Sequence, residues 1–409
     1  MSRGSVMVIG GSLGGLFAAN LLRAHGWDVH VYERVADDLA TRGAGIGTHP
    51  ELFQVMRRLG ITVDESIGVS VERRLCLARD GSLVLETHQP QTMSAWARIY
   101  RLLRAQLPDA CYYPGIALET VEDRGGSVLA RFSDGSAREA DLLVGADGIR
   151  STVRSLWRPD SVPRYAGYIA WRGVLEESAM PPDLHEAMMA NYVFGLPPGE
   201  MMLCYPVPGR DDDVRPGHRG YNFVWYRPTD EATTLRELCT DSTGHCHGTS
   251  IAPPLIRPEV TRGIRQTARD LLAPNIAQVV ELTVQPFFQA INDLESSCMG
   301  TGRVALLGDA AFVARPHIGA GVTKAALDAQ CLADELEATG GDVPAALTRY
   351  DIQRRRFGHT VVERARWVGG YIETRGRPEL ARGRAMMPET PESALREVGA
   401  PLVKIAGLN

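Results

Sequence analysis

Asp309 is the side chain around which chemistry can first be placed in this sequence. It follows the apolar run Val304 to Leu307, sits in the tight turn Gly308-Asp309, and precedes a small-residue loop that enters a helix by Gly321. Far upstream, Val6-Met7-Val8-Ile9, the turn Gly10-Gly11-Ser12-Leu13-Gly14-Gly15 and the helically spaced Leu16 to Leu22 read as strand, turn and helix. A second strand, Val29 to Tyr32, ends at Glu33. Such a turn lets backbone N–H groups and a helix N-terminus approach a pyrophosphate, and an acid ~20 residues further on accepts from a ribose hydroxyl. Glu33 stands near that spacing. Two distant segments converging on one cofactor is the arrangement this implies.

Ser12 replaces the usual second glycine of the turn, though a small residue still permits close approach. A glycine turn in an unliganded α/β domain is the bland alternative. Glu33, in place of a residue that tolerates a 2'-phosphate, argues for an unphosphorylated ribose. Candidate cofactor contacts at this end are Gly10, Ser12, Leu13, Gly15, Glu33 and Arg34. A second glycine-rich loop, Arg42-Gly43-Ala44-Gly45-Ile46-Gly47, adds Arg42, Gly43 and Gly45.

The elements that must position these groups alternate between two textures. Pro50 opens a helix stopped near Gly60. Residues 71–78 and 82–87 flank Asp80-Gly81 as a hairpin, and Trp96 to Leu107 has helical spacing. Three strands follow, 116–122, 127–132 and 137–144, feeding Ala146-Asp147-Gly148. From about 165 to 290 the chain turns aromatic and β-like. Alternation puts Tyr221, Phe223 and Trp225 on one face of a strand and Asn222, Val224 and Tyr226 on the other. The first set suits a sheet core; the mixed face suits the wall of an aromatic-ligand pocket. Residues 208–219 read as an exposed loop. Gly319 to about Gly370 reads helical with a break at Gly340-Gly341, and the chain after Arg375 as an arm. Arg354, Arg355, Arg356, Arg364 and Arg366 are expected on a solvated or interface face of that helix.

At 409 residues the length implies roughly two to three domains. A formal net charge of -5 gives no general attraction to nucleic acid or an anionic membrane. Seven scattered cysteines without a CxxC favour a reducing compartment. No stretch approaches the ~20 apolar residues of a membrane span, so a soluble cytoplasmic protein is expected. His245-Cys246-His247 lacks a visible carboxylate or further ligand nearby, so no metal site is expected.

The glycine turn with Glu33, the Ala146-Asp147-Gly148 segment and the Gly308-Asp309 stretch together resemble the class A, single-component FAD-dependent aromatic hydroxylases of the p-hydroxybenzoate hydroxylase fold, over about residues 5–370. Two departures from the common pattern, Phe312 after Gly-Asp-Ala-Ala and Trp96 where the family has an arginine, look more like the 2,6-dihydroxypyridine 3-monooxygenase branch. So do Ala314-Arg315-Pro316-His317 and Val224-Trp225-Tyr226-Arg227. The resemblance implies an α/β fold in which a Rossmann-like FAD-binding domain (1–75, 97–164 and 295–345) interleaves with a mainly β substrate domain (76–96 and 165–294), followed by C-terminal helices (346–409). It implies tightly bound FAD, NADH or NADPH as transient co-substrate, O2, a small aromatic substrate, and a homodimer. Asp309 would hold the ribityl chain and Asp147 both dinucleotides. Pro316 would lie beside the flavin ring, and Gly319, Ala320 and Gly321 would offer it backbone N–H groups.

By the same resemblance one oxygen atom enters an electron-rich phenol or N-heteroaromatic ring through a flavin C4a-hydroperoxide. The protein must then hold the ring, exclude water and draw a proton from the ring hydroxyl. His317, Tyr205, Tyr226 and His49 are the candidates for that proton. Each has a structural alternative: helix capping for the histidines, a hydroxyl at the sheet edge for the tyrosines. Arg172 would face an anionic substrate or pair with a carboxylate. Another flavoenzyme on this scaffold, such as an epoxidase or reductase, and a non-catalytic dinucleotide-binding protein are the competing readings.

Overall fold

The computed structural model describes residues 3–41, 45–375 and 378–402. Its first sheet has six strands in the order Gly300–Thr301, Val304–Leu306, Leu142–Gly145, Ser5–Ile9, Asp28–Glu33 and Tyr112–Pro114. All pairs are parallel except the Gly300–Thr301 hairpin. Helices Leu13–Ala24 and Gly321–Ala338 pack together over this sheet. Strands buried on both faces read as unbroken apolar runs, which is why Val6 to Ile9 and Val304 to Leu307 were legible. Three neighbouring strands, Val304–Leu306, Leu142–Gly145 and Ser5–Ile9, release the turns at Gly308, Ala146 and Gly10 from the same edge. That juxtaposition places a ligand across their carboxyl ends.

The second sheet has nine strands, running Phe312–Val313, Phe287–Glu295, Arg164–Glu176, Gly220–Pro228, Met201–Val207, Asn191–Gly195, Val69–Leu77, Leu83–Ala95 and Gly45–Gly47. One face buries Tyr221, Phe223 and Trp225 among residues of the helices Pro258–Leu271 and Pro274–Leu282. The other carries Val224 and Tyr226 into a core shared with Ile318 and Ala320 and with the C-terminal helices. The alternation read from sequence assigns these faces as found.

Three expected boundaries need correction. The division at 75 cuts the strand Val69–Leu77, which with Gly45–Gly47 belongs to the nine-stranded sheet. The expected strand 137–144 is two: Ala137–Ala140 joins Leu118–Asp123 and Val128–Phe132 in a small antiparallel sheet, and Leu142–Gly145 joins the parallel one. Asp141 marks the break, accepting from Ser5 N at 2.8 Å. The division at 345 falls inside the 32-residue helix Val343–Thr374, whose Leu347, Tyr350 and Val362 pack in one core and whose Val361, Ala365, Val368 and Ile372 pack in the other. Arg354 on that helix is buried against Asp328 rather than solvated, and Arg366 is half-buried against Asp293 and Glu295.

The arm after Arg375 packs through helix Pro391–Glu397. Arg74, fully buried, donates to Leu395 O and Val398 O at 2.7 Å each and so satisfies carbonyls at the end of that helix. His247 does have a carboxylate partner: its Nε2 lies 2.8 Å from Asp241, brought back by a turn the sequence did not reveal.

Candidate active site

A groove of about 580 Å³ runs across the carboxyl ends of the parallel strands. Gly10, Ser12, Leu13, Glu33, Arg34, Asp147 and Asp309 line it, together with Ile46, Trp96, Arg172 and Gly321. Gly10 has φ +106°, and a Cβ there would lie 2.5 Å from Ala146 O; one on Gly15 would fall 1.9 Å from Gly10 O. Only glycine closes this turn so tightly against the neighbouring strand. Ser12 occupies the N-cap of helix Leu13–Ala24 but makes no capping bond through its side chain, and no acid stands in the first turn. The N–H groups at this helix end are thus left for an anion. Glu33 is aimed by its surroundings: Gly11 N donates to Oε2 at 2.8 Å and Val35 N to Oε1 at 2.9 Å, leaving lone pairs for a hydroxyl donor.

Asp147 lines the groove, but its carboxylate chiefly caps helix Thr152–Trp157. Thr152 N and Val153 N donate to Oδ2 at 2.7 and 3.1 Å, and Ser151 Oγ donates to Oδ1. Arg154, buried in that helix, donates to Ala310 O at 3.0 Å and to Ile149 O at 2.6 Å. It fastens the Asp-Gly segment to the Gly-Asp turn, a role no local pattern announced.

Asp309 opens onto the groove. Burial raises its carboxyl above the ordinary range, Lys324 opposes that, and Asp328 adds to it. Asp328 also holds the turn itself, accepting from Gly308 N at 3.0 Å and from Arg354 Nε at 2.7 Å, with Lys324 Nζ 3.6 Å away. After the turn, Gly319 takes φ +64°, and helix Gly321–Ala338 begins at Ala320 with neither a side-chain cap nor an acid in its first turn. A second uncapped helix end therefore meets the groove at Gly321. Arg42 and Gly43 lie outside the described residues.

Tyr205, Tyr226 and His317 gather where one sheet face meets the loop 316–321, with His49 beside Thr323, and burial disfavours the charged form of all four. His317 Nε2 lies 2.7 Å from Tyr168 Oη, and its ring is centred 4.1 Å from that of Tyr226. Burial and the Arg315 guanidinium push its pKa down to about 3, so it is a neutral partner and not a base near 7. It does not cap the following helix. His49 Nδ1 lies 3.0 Å from Thr323 Oγ1; burial lowers its pKa, and it makes no capping bond to helix Pro50–Arg58. Tyr205 donates to Gly45 O at 3.2 Å. Burial raises the pKa values of both Tyr205 and Tyr226. Pro316 is exposed at the start of the loop. Among the described residues Arg172 pairs with no carboxylate; it donates to Gly45 O at 3.1 Å and to Gln289 at 3.0 Å. Asn222 was marked only by its place on the mixed strand face, and Tyr168 and Lys324 completed this region without a site signal of their own.

Two uncapped helix ends, a hydroxyl-ready Glu33 and an aspartate at the turn between them fit a flavin dinucleotide laid along the groove. A family model described as FAD binding domain-like matches residues 165–293. Over 371 residues, 91% of this chain and 92% of the relative, the sequence is 32% identical to 2,6-dihydroxypyridine 3-monooxygenase of Paenarthrobacter nicotinovorans. It is 30% identical over 374 residues to 3-amino-4-hydroxybenzoate 2-monooxygenase of Streptomyces cremeus, covering 88% of this chain and 86% of that one. The solved 2,6-dihydroxypyridine-3-hydroxylase from Arthrobacter nicotinovorans superposes with a TM-score of 0.84 at 30% identity, covering 95% and 96% of the two chains. The chain belongs to the single-component FAD-dependent monooxygenases of the p-hydroxybenzoate hydroxylase fold. Within them it is closely related to 2,6-dihydroxypyridine 3-monooxygenase. FAD is its bound cofactor and NAD(P)H its co-substrate. Among the described residues no helix is long and apolar enough to cross a membrane.

Proposed function

We propose that this monooxygenase hydroxylates a small hydroxylated N-heteroaromatic ring of the hydroxypyridine type, consuming NAD(P)H and O2. The observation that carries the reading is the 32% identity to a dihydroxypyridine hydroxylase over nine-tenths of both chains. Beside the groove, Tyr168, Tyr205 and Tyr226 of the sheet and His317 of the loop 316–321 are buried together, and burial disfavours the charged form of each. Such surroundings suit a flat, uncharged, hydrogen-bonding ring.

In this reading Gly10, Ser12, Leu13 and Gly15 cradle the pyrophosphate, Glu33 and Arg34 hold the adenosine end, and Asp309 takes the ribityl chain. Gly319, Ala320 and Gly321 present N–H groups to the flavin. Gly45 remains a candidate contact with it, as do Arg42 and Gly43 outside the described residues, and Asp147 sets the backbone beside it. Bound FAD supplies the oxidising chemistry. The chain's own residues hold the ring, keep water out and move its hydroxyl proton along hydrogen bonds. The pairs His317–Tyr168 and His49–Thr323 are the candidate carriers, with Tyr205, Tyr226 and Pro316 shaping the chamber. The domain limits follow the sheets: the substrate domain takes in Gly45–Gly47 and Val69–Leu77. A homodimer in the cytoplasm completes the reading, and light scattering of the purified protein tests the dimer.

The test is NADH and NADPH oxidation by the FAD-loaded protein across a panel of hydroxypyridines and phenols, with product identified by mass. A hydroxypyridine that stimulates oxidation and gains one oxygen in stoichiometric yield is expected. Stimulation by phenols alone would overturn the substrate class.

A further inference from the structure

Asn222 is fully buried, and among the described residues neither the oxygen nor the nitrogen of its amide has a hydrogen-bond partner. Other buried polar atoms also stand unpaired, but Asn222 alone among the described residues leaves both ends of an amide so, which costs stability and calls for an explanation. The polar neighbours on its face are already engaged. Tyr205, opposite it in strand register, gives its hydroxyl to Gly45 O, and Arg172 donates to the same carbonyl. The strand Gly45–Gly47 lies directly over the amide: a Cβ on Gly45 would fall 3.1 Å from Asn222 Cγ and 3.0 Å from the Tyr205 ring. Ile46 of that strand and Arg172 both line the groove. The amide thus stands one backbone thickness behind the part of the groove lined by Ile46 and Arg172, under a cover with no side chain at the point of contact.

We infer that Asn222 is the specificity residue of the ring site and that what it reads is a lactam edge, a ring N–H beside a C=O. The inference rests on the ring-hydroxylation reading above and adds the feature of the substrate that is recognised. A carboxamide presents one N–H donor and one carbonyl acceptor in a single plane. Its complement is an acceptor and a donor side by side, which a 2-hydroxypyridine offers in its pyridone tautomer. A phenol with the same hydroxyl spacing shows a C–H where the pyridone has N–H. A ring carboxylate shows two acceptors, one of which would face the Asn222 carbonyl. A site that pairs with a group discriminates against the analogue that lacks it. Gly45 must give way for the ring to reach the amide, and a residue without a Cβ does so without unpacking a side chain.

The experiment titrates FAD-loaded protein with 2,6-dihydroxypyridine and with resorcinol, following the flavin absorbance, in the wild type, Asn222→Leu and Asn222→Asp. The wild type is expected to bind the pyridine about tenfold more tightly than resorcinol, the ratio expected of one well-made donor–acceptor pair. Asn222→Leu should bring that ratio to near one without weakening resorcinol or lowering Tm, because an unpaired buried amide is exchanged for an apolar group of similar size. Asn222→Asp, nearly the same shape, should also lose the preference by setting a second acceptor against the pyridone carbonyl, and it carries the test if the leucine variant fails to fold. A preference that survives in the variants overturns the inference and leaves ring hydroxylation standing. A wild type whose flavin responds to resorcinol equally well also overturns it, and one whose flavin responds to neither ring counts against both.

Discussion

At position 309 a carboxylate faces the groove with no side-chain donor of its own, beside a turn that Asp328 and Arg354 hold from behind. Hydrogen bonds to a charged acceptor contribute about 1.5–3 kcal/mol. Asp309→Ala should therefore weaken FAD binding by at least about tenfold, and the protein should lose its yellow colour on desalting; full retention would remove Asp309 from the cofactor site. His317 makes a second prediction. Its pKa is near 3 in the folded chain against 6.5 when exposed, so the unfolded chain binds more protons between those values. Stability must fall as pH drops from 6.5 toward 3. His317→Gln should flatten part of the decline of Tm between pH 7 and pH 5, with His49, also lowered, supplying a share of what is left. Equal slopes in variant and wild type would mean that His317 is charged. Of this residue chemistry the sequence disclosed the acids and glycines, because their spacing along one chain carries the signal. It offered Asn222 only as one member of a mixed strand face and disclosed nothing of Arg154, whose partners come from segments distant in sequence, and it left the protonation of the histidines open, because the neutrality of His317 is a consequence of burial.

At the scale of elements, the decisive unit is the turn between strand Ser5–Ile9 and helix Leu13–Ala24. Gly15→Ala would drive a Cβ to 1.9 Å from a backbone oxygen, so the turn must open. A loss of about 1–3 kcal/mol of stability is expected from such overpacking, with FAD affinity falling alongside it; a variant of unchanged Tm and flavin content would show that the turn is not so tightly closed. This unit was fully legible, since strand, glycines, helix and acid fall within one short stretch. The strand Gly45–Gly47 was not. It read as another cofactor loop, and only its pairing with Met93 to Ala95 reveals that it edges the substrate sheet. The helix at 96–107 was placed well because its periodicity is local, whereas the split at Asp141 depended on which of two sheets each half would join.

For the whole molecule, the C-terminal arm ties the nine-stranded sheet to the flavin loop. Arg74 holds Leu395 and Val398, and Gly399 N donates to His317 O at 3.0 Å. Arg74→Met should leave two buried carbonyls unpaired, at about 1–3 kcal/mol each. It should speed proteolysis within 391–402 before it affects the rest of the chain. Uniform protection would place the arm outside the cooperative unit. That this polar, proline-rich stretch packs as an arm was one of two expectations, the other being a frayed end; where it docks was not legible, because its anchor lies in a strand of the substrate sheet. The domain limits missed for a like reason: a chain that crosses between two sheets several times changes composition less sharply than it changes neighbours.

The central claim is that two remote segments hold one FAD beside a chamber for a hydroxypyridine ring. The most direct measurement is oxygen incorporation by the purified, FAD-loaded protein given 2,6-dihydroxypyridine, NADH and ¹⁸O2. One labelled oxygen in the ring product for each NADH consumed is the expected result; NADH consumed with hydrogen peroxide as the only product across the hydroxypyridine panel would contradict it.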